Sequence, residues 1–312
     1  MSNEEEMHCM EVWGGNRDCD CHLQLMGLGV EVYSKPFAGC ENGGDVYYVS
    51  SCATGRITRL MVADVSGHGE DAAHSANQLR QLMGKYVNFV DQSRVIEGMN
   101  DQFASIVKHG RFATAVIITY FAPTNEMIIS NAGHPPPLLY RKKSKSWCFI
   151  DKNMIGEETG DIPLGILSGA HYHQCKIYLE PGDLVLCYTD SLIEMRKNSS
   201  VIGADGLLQF MQDIGKIHLP SAQILLEKLQ QQTKSQFNDD VTVVTLAVEA
   251  APRVNLKTKI LIPFRMLWIV IRSLFSNRII TPQTEWSLRN LGGAFFHRLN
   301  FLGNKNKKND AN

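Results

Sequence analysis

The chain has 312 residues, 44% of them apolar and 20% charged, with a net charge of −1; that is ordinary for a folded protein of one large domain or two small ones. Its eight cysteines, at positions 9, 19, 21, 40, 52, 148, 175 and 187, are scattered through a chain too large to need staples, so reduced cytoplasmic thiols are expected and a disulfide framework is excluded. The acidic start MSNEEEMHCM has no apolar core of the kind a secretory signal needs.

The near-neutral total conceals a step. From Arg253 onward there are 11 Lys or Arg and 2 Asp or Glu, so the first 252 residues hold 20 basic and 30 acidic side chains. A step of that size marks a boundary near Glu249-Ala-Ala-Pro-Arg253. Three segments are expected: a lead-in over 1–26, a main domain over 27–250 and a basic extension over 251–312.

Residues 1–26 show no clear periodicity and read as a loosely packed lead-in. Within them Cys19-Asp-Cys21-His22, with His8-Cys9 upstream, raises zinc, but paired zinc cysteines are usually separated by two or more residues, which favours plain thiols. Apolar or alternating runs at 28–33, 45–52 and 57–65 predict strands. Ala72, Ala76, Leu79, Met83, Tyr86 and Val90 then recur at helical spacing, with Glu70 and Asp71 suited to the positive end of the helix dipole. A second helix is expected over 93–108. Strands return at 112–121, 126–131, 137–141, 174–179 and 183–189, a helix at 220–235 and a last strand at 241–248. Many strands joined by short turns and interrupted by blocks of helix do not alternate as a parallel sheet requires; they predict an α+β fold with antiparallel sheets covered by helices.

Four places set carboxylates at apolar strand ends: Asp45 in GGDVYY, Asp64 in ADVSGHG, Asp190 in YTDSL and Asp239-Asp240 in FNDDVTVV. Taken singly, each is most simply a turn or cap residue. Taken together, such groups would repel one another unless cations sat between them. An all-oxygen donor set suits Mg²⁺ or Mn²⁺ rather than zinc. Spacing alone leaves open whether they converge.

The order GGDVYY, ADVSGHG, FAT, NAGHPPPLLY, PLGI, GDLVLCYTDSLIE, NDDVTVV, spread over about residues 27–248, resembles the metal-dependent protein phosphatase superfamily with the type 2C fold, and more narrowly its bacterial SpoIIE/RsbU-like branch of serine/threonine phosphatases. The resemblance implies an αββα sandwich of two antiparallel sheets flanked by helices, with the metal site at one edge. It implies that Asp64 bridges two Mn²⁺ or Mg²⁺ ions, that the backbone carbonyl of Val65 joins one of them, and that Asp45, Asp190 and Asp239 complete the set. Asp239 is chosen because the family's ligand lies three residues before the Thr of NDDVT; Asp240 is the reserve. On this reading Gly67 and Gly69 let the chain turn beside Asp64, and the helix that follows points its N-terminus toward the phosphate site. His68, in that turn, is a candidate general acid for the leaving seryl oxygen and otherwise a surface turn residue. His134 is read as a strut setting the NAGHPPP loop, with Asn131 as its companion. Two departures stand out: Tyr48 occupies the position of the last Asp in Gly-Gly-Asp-aromatic-Tyr-Asp, and Ser191 replaces the glycine of Thr-Asp-Gly.

The activity implied is Mn²⁺- or Mg²⁺-dependent hydrolysis of phosphoserine or phosphothreonine by a metal-activated water, in a partner-switching regulatory pathway. The alternative is a phosphatase-fold scaffold with weak or partner-activated catalysis. The partner expected is a phosphorylated protein; a homodimer is left open and no nucleic acid is expected. Segment 257–275 is strongly apolar but broken by Pro263, Arg265 and Arg272, so it is not a spanning helix. Packing on its own domain or a partner is favoured over an interfacial helix anchored by Trp268 and Phe275. The protein is placed in the cytoplasm, with the inner face of the membrane as the other location this segment allows.

Overall fold

The computed structural model describes residues 4–6, 12–52, 55–89, 91–107, 110–150, 161–197, 200–214 and 221–250. His8, Cys9 and Val90, and the basic extension 251–312 with its 257–275 segment, lie outside the described residues. In chain order the elements are β1 (Glu4–Glu6), β2 (Val12–Gly15), β3 (Cys19–Leu25), β4 (Leu28–Lys35), β5 (Asp45–Ser51), β6 (Ile57–Val65), α1 (Glu70–Tyr86), α2 (Gln92–Ile106), β7 (Ala113–Phe121), β8 (Glu126–Ala132), β9 (Leu138–Arg141), β10 (Ser146–Phe149), β11 (Cys175–Tyr178), β12 (Leu184–Tyr188), β13 (Arg196–Lys197), β14 (Ser200–Val201), α3 (Gly203–Ile214), α4 (Ala222–Thr233) and β15 (Val241–Val248).

One sheet runs β1-β3-β4-β15-β12-β9-β10 and the other β11-β8-β7-β6-β5-β2, while β13 and β14 form a separate hairpin. Within the two sheets every pairing is antiparallel except that of β1 on β3. Helices α1 and α2 cover the second sheet, and α3 and α4 cover the first. This is the αββα sandwich expected of the sequence.

The strands at the centre of each sheet are apolar on both faces because each serves two layers. In β6, Leu60 and Val62 face the other sheet, while Met61, Ala63 and Val65 face α1 and α2. In β15, Val244, Leu246 and Val248 enter the space between the sheets, and Val241 and Val243 meet α3 and α4. Helix α1 buries Ala76, Leu79 and Met83 of its stripe, and α2 starts at an Asp91 cap whose side chain accepts the Ser93 N–H at 3.0 Å.

From Val12 on, the segment expected as a loose lead-in belongs to both sheets instead. β3 pairs with β4 from Cys19 to Leu25, and Cys19, Leu23 and Leu25 are buried between the sheets. The alternation in CDCHLQL was the signal, with cysteine acting as a small apolar residue. That alternation also separates the zinc candidates. Cys19 and Cys21, with sulfurs 3.0 Å apart, belong to the intersheet layer, whereas His22 points from the opposite face of the strand.

Leu246, fully buried between the sheets, tests this layering. Leu246→Ala is expected to lower unfolding free energy by about 3 kcal/mol, read from urea denaturation. A loss below about 1 kcal/mol would contradict a closely packed intersheet layer.

Candidate metal centre

The two sheets meet at one edge, where β5 begins, β6 ends, β12 ends and β15 begins. Asp45 opens β5 directly across from Asp64 in the β5–β6 register. Directly opposed carboxylates repel, so neighbouring structure must hold them. For Asp45, which is buried, the partner is the other sheet. Its Oδ2 accepts the Thr189 hydroxyl at 2.9 Å, and Thr189 Oγ1 in turn accepts the Thr242 N–H at 3.0 Å.

Asp240 anchors the loop before β5. One of its oxygens accepts the Phe37 N–H at 2.7 Å, and the other accepts the Gly44 N–H at 2.5 Å with Asp45 N–H at 3.4 Å. This contact explains the glycine pair: a Cβ at Gly43 would lie 2.4 Å from the Asp240 carboxylate, and one at Gly44 would lie 3.1 Å from the Val65 carbonyl. Glycine at 44 thus keeps side-chain bulk away from that carbonyl. Buried Asn16 fixes the same loop, donating to the carbonyls of Gly43 and Ala73 at 2.9 and 3.1 Å.

Asp190 follows β12 and begins a short 3-10 turn, Asp190–Leu192. Asp239 accepts the Asp240 N–H at 2.8 Å through one oxygen. The electrostatics show that these groups share one space. Burial pushes the Asp64 carboxyl up to about 7, and the charges of Asp190, Asp239, Asp240 and Glu194 push it the same way. Asp190 is pushed up to about 6 by burial, then by Glu194 and Asp239. Asp45 lies well above the usual carboxylate range, through burial first and Asp64 next. Among the described residues no Lys or Arg forms an ion pair with Asp45, Asp64, Asp190, Asp239 or Asp240. Crowded oxygen donors without a protein cation fit hard divalent ions.

The structure therefore brings Asp45, Asp64, Asp190, Asp239 and Asp240 together, with Asp240 already engaged by backbone amides. It keeps His68 on the exposed turn between Gly67 (φ 97°) and Gly69 (φ 80°). The His68 ring makes no hydrogen bond among the described residues. Asn131 and His134 are bonded to each other: His134 N–H donates to Asn131 Oδ1 at 2.7 Å, and Asn131 Nδ2 donates to the His134 carbonyl at 2.9 Å. His134 Nδ1 lies 2.9 Å from the hydroxyl of Thr114, the residue opposite Asp64 on β7. Burial pushes the His134 imidazole down to about 3, the Tyr188 backbone pulling weakly the other way, so the ring is neutral.

Both departures from the family pattern turn away from the cluster or stay beside it. Tyr48 sits among α1 and α2 side chains, on the face of β5 opposite Asp45. Ser191 is buried next to Asp190 and its hydroxyl has no hydrogen bond among the described residues. Sequence reasoning missed Thr189, Thr242, Asn16 and Glu194. Thr189 immediately precedes Asp190, and Glu194 follows it by four residues, with its N–H on the Asp190 carbonyl at 2.9 Å; that local spacing was the available signal.

Comparison with known proteins agrees with this fold. The sequence model of the family Stage II sporulation protein E (SpoIIE) matches residues 54–249, more than half of the chain, beginning after Asp45. The phosphoserine phosphatase RsbU of Bacillus subtilis is 23% identical over 193 residues, which cover 60% of this chain and 54% of RsbU. The chain thus spans about half the length of that curated relative. Among solved structures, the RsbU and RsbW domains of Rv1364c from Mycobacterium tuberculosis align with TM-score 0.59 at 24% identity, over 80% of this chain and 71% of that one. RsbX in complex with magnesium aligns with TM-score 0.55 at 18% identity, over 74% of this chain and all of RsbX. At these identities the structures show the shared fold.

Carboxyl groups held above their usual value of 3.8 retain protons that the unfolded chain has released. In the metal-free protein this cluster should therefore contribute stability that is fully present below about pH 4 and is lost as pH rises through about 7. Asp64→Asn removes the repulsion without removing a neutral form, so it should raise the metal-free melting temperature by ~5 °C at pH 7.5 and change it little at pH 4.5. Calorimetry in chelator reads this out; an unchanged or lower melting temperature at pH 7.5 would contradict the crowding.

Proposed function

The chain belongs to the SpoIIE family, and from that premise we propose that it is a divalent-metal-dependent phosphatase acting on phosphoserine or phosphothreonine in proteins. The observation that carries the proposal is the convergence of Asp45, Asp64, Asp190 and Asp239 at one edge of the sandwich with no basic partner among the described residues. A scaffold would gain nothing from crowding those groups.

Asp64 and Asp45 would hold the ions from the second sheet, together with the Val65 carbonyl; Asp190 and Asp239 would hold them from the first. Asp239 is preferred over Asp240 because both Asp240 oxygens already accept backbone N–H groups. Mn²⁺ or Mg²⁺ bound there, two ions on this reading, would lower the pKa of a water and orient it toward phosphorus. The magnesium complex of RsbX supports the choice of metal.

The protein's own residues do the rest. Thr189 fixes the Asp45 carboxylate, and Thr114 and His134 brace the strand position opposite Asp64. Helix α1 starts at Gly69 with no side-chain cap, which leaves first-turn amides for an anion. His68, exposed one residue before that start, would give its proton to the leaving seryl oxygen. By analogy with RsbU and with the joined RsbU and RsbW domains of Rv1364c, the substrate would be a phosphorylated switch protein of a regulatory pathway.

The test is Mn²⁺-dependent hydrolysis of p-nitrophenyl phosphate by the full chain. Asp64→Asn and Asp190→Asn are each expected to reduce turnover by ~100-fold or more with unchanged circular dichroism. Activity retained in both variants would overturn the site.

A further inference from the structure

The PLGI stretch has no part in the metal centre, yet the fold holds it with unusual care. Leu164 is fully buried and exchanges backbone hydrogen bonds with Ala113 at 2.9 and 2.8 Å. Ala113 in turn pairs with Val65. The base of the loop is therefore two strand spacings from the Val65 carbonyl, about 10 Å.

Beyond Leu164 the chain is fixed by α2. Asn100, fully buried, accepts the Gly165 N–H at 3.0 Å and donates to the Leu167 carbonyl at 2.8 Å. The Asp101 carboxylate accepts Gly169 N–H at 2.7 Å and the Ser168 hydroxyl at 3.1 Å. Gly165, at φ +89°, lies so close to the Phe103 ring that a Cβ would come within 3.0 Å of it. With the backbone pinned in this way, Ile166 and Leu167 stand 55% and 59% exposed. Phe112, the residue before Ala113, is 36% exposed. Its N–H donates to Ser66 Oγ, and its carbonyl accepts the Ser66 N–H.

A loop free to move could turn two aliphatic side chains inward; this one is bonded so that it cannot. We infer that Ile166 and Leu167 form a docking tip for the phosphoprotein substrate, gripping an apolar side chain that lies three to five extended residues from the phosphorylated serine. The occupant follows from continuity. The ladder Val65–Ala113–Leu164 runs outward from the residue next to Asp64 to the base of the tip, and the reach from the metal centre to the tip, about 10–15 Å, is that of three to five extended residues. The inference rests on the phosphatase reading and adds the substrate class.

Three synthetic dodecapeptides with a central phosphoserine test it. One carries leucines four and five residues before the phosphoserine, one carries them four and five residues after it, and one carries serines at all four positions. One leucine peptide is expected to show kcat/KM about tenfold above the serine peptide, through KM, as burial of one leucine predicts. In the double variant Ile166→Ser, Leu167→Ser that advantage should vanish, while p-nitrophenyl phosphate hydrolysis and melting temperature stay as in the unmutated protein. Equal kcat/KM for all three peptides, or a preference that survives the double variant, overturns the docking tip. So does a dimer of the unmutated chain that the double variant abolishes in sedimentation, which would assign the tip to a second copy. Failure to hydrolyse p-nitrophenyl phosphate would instead overturn the phosphatase reading, and the docking tip with it.

Discussion

Mutual repulsion among carboxylates is the constraint around which this molecule is arranged. Asp45 and Asp64 face each other on adjacent strands, and Asp190 and Asp239 arrive from the other sheet. Left to themselves they would separate or take up protons. They are held because each stands at the end of a strand whose interior is locked into apolar layers. Rearranging the cluster would mean sliding a strand, and a slip of one residue would turn every buried side chain to the wrong layer. The hydrophobic interior thus supplies the force, and the hydrogen bonds of Thr189 and Asp240 supply the aim.

The same period of two explains why departures from a family pattern need not touch the chemistry. At position 48 the strand faces α1, so replacing a carboxylate by tyrosine changes packing beneath the helix and leaves the face of Asp45 untouched. Position 191 differs in kind, since it follows Asp190 in the same short turn. A serine there places a buried hydroxyl, unbonded among the described residues, beside a ligand candidate, a more direct perturbation than Tyr48.

Legibility in the sequence followed the strength of each periodic signal. The strands 57–65 and 241–248 were readable to the residue because they are long apolar runs, and the two long helices because their stripes repeat over several turns. Strand β3 was lost because its apolar face is built partly of cysteine, which reads as chemistry before it reads as packing. Strand β10, the β13–β14 hairpin and helix α3 were not foreseen; the first two are short, and α3 offers only Leu207, Phe210 and Met211 as buried positions. The acidic positions of the site were visible because carboxylates at apolar strand ends are conspicuous. Their supports were not. Thr189, Thr242 and Asn16 are ordinary polar residues whose partners lie 27 to 144 residues away, a separation that no local pattern encodes.

The start of β7 carries more than its share of the arrangement. Phe112 brackets Ser66, Ala113 binds Leu164, and Thr114 lies opposite Asp64 while meeting His134. Three successive residues thereby fix the turn after Asp64, the base of the apolar tip and the strut of the proline loop. Because successive side chains alternate faces while successive backbone groups alternate edges, one short stretch of strand can serve all three without conflict. The chemistry at Asp64 and the surface beyond it are therefore set by the same few peptide units. A shift of β7 would be felt at the acidic cluster and at the apolar tip together.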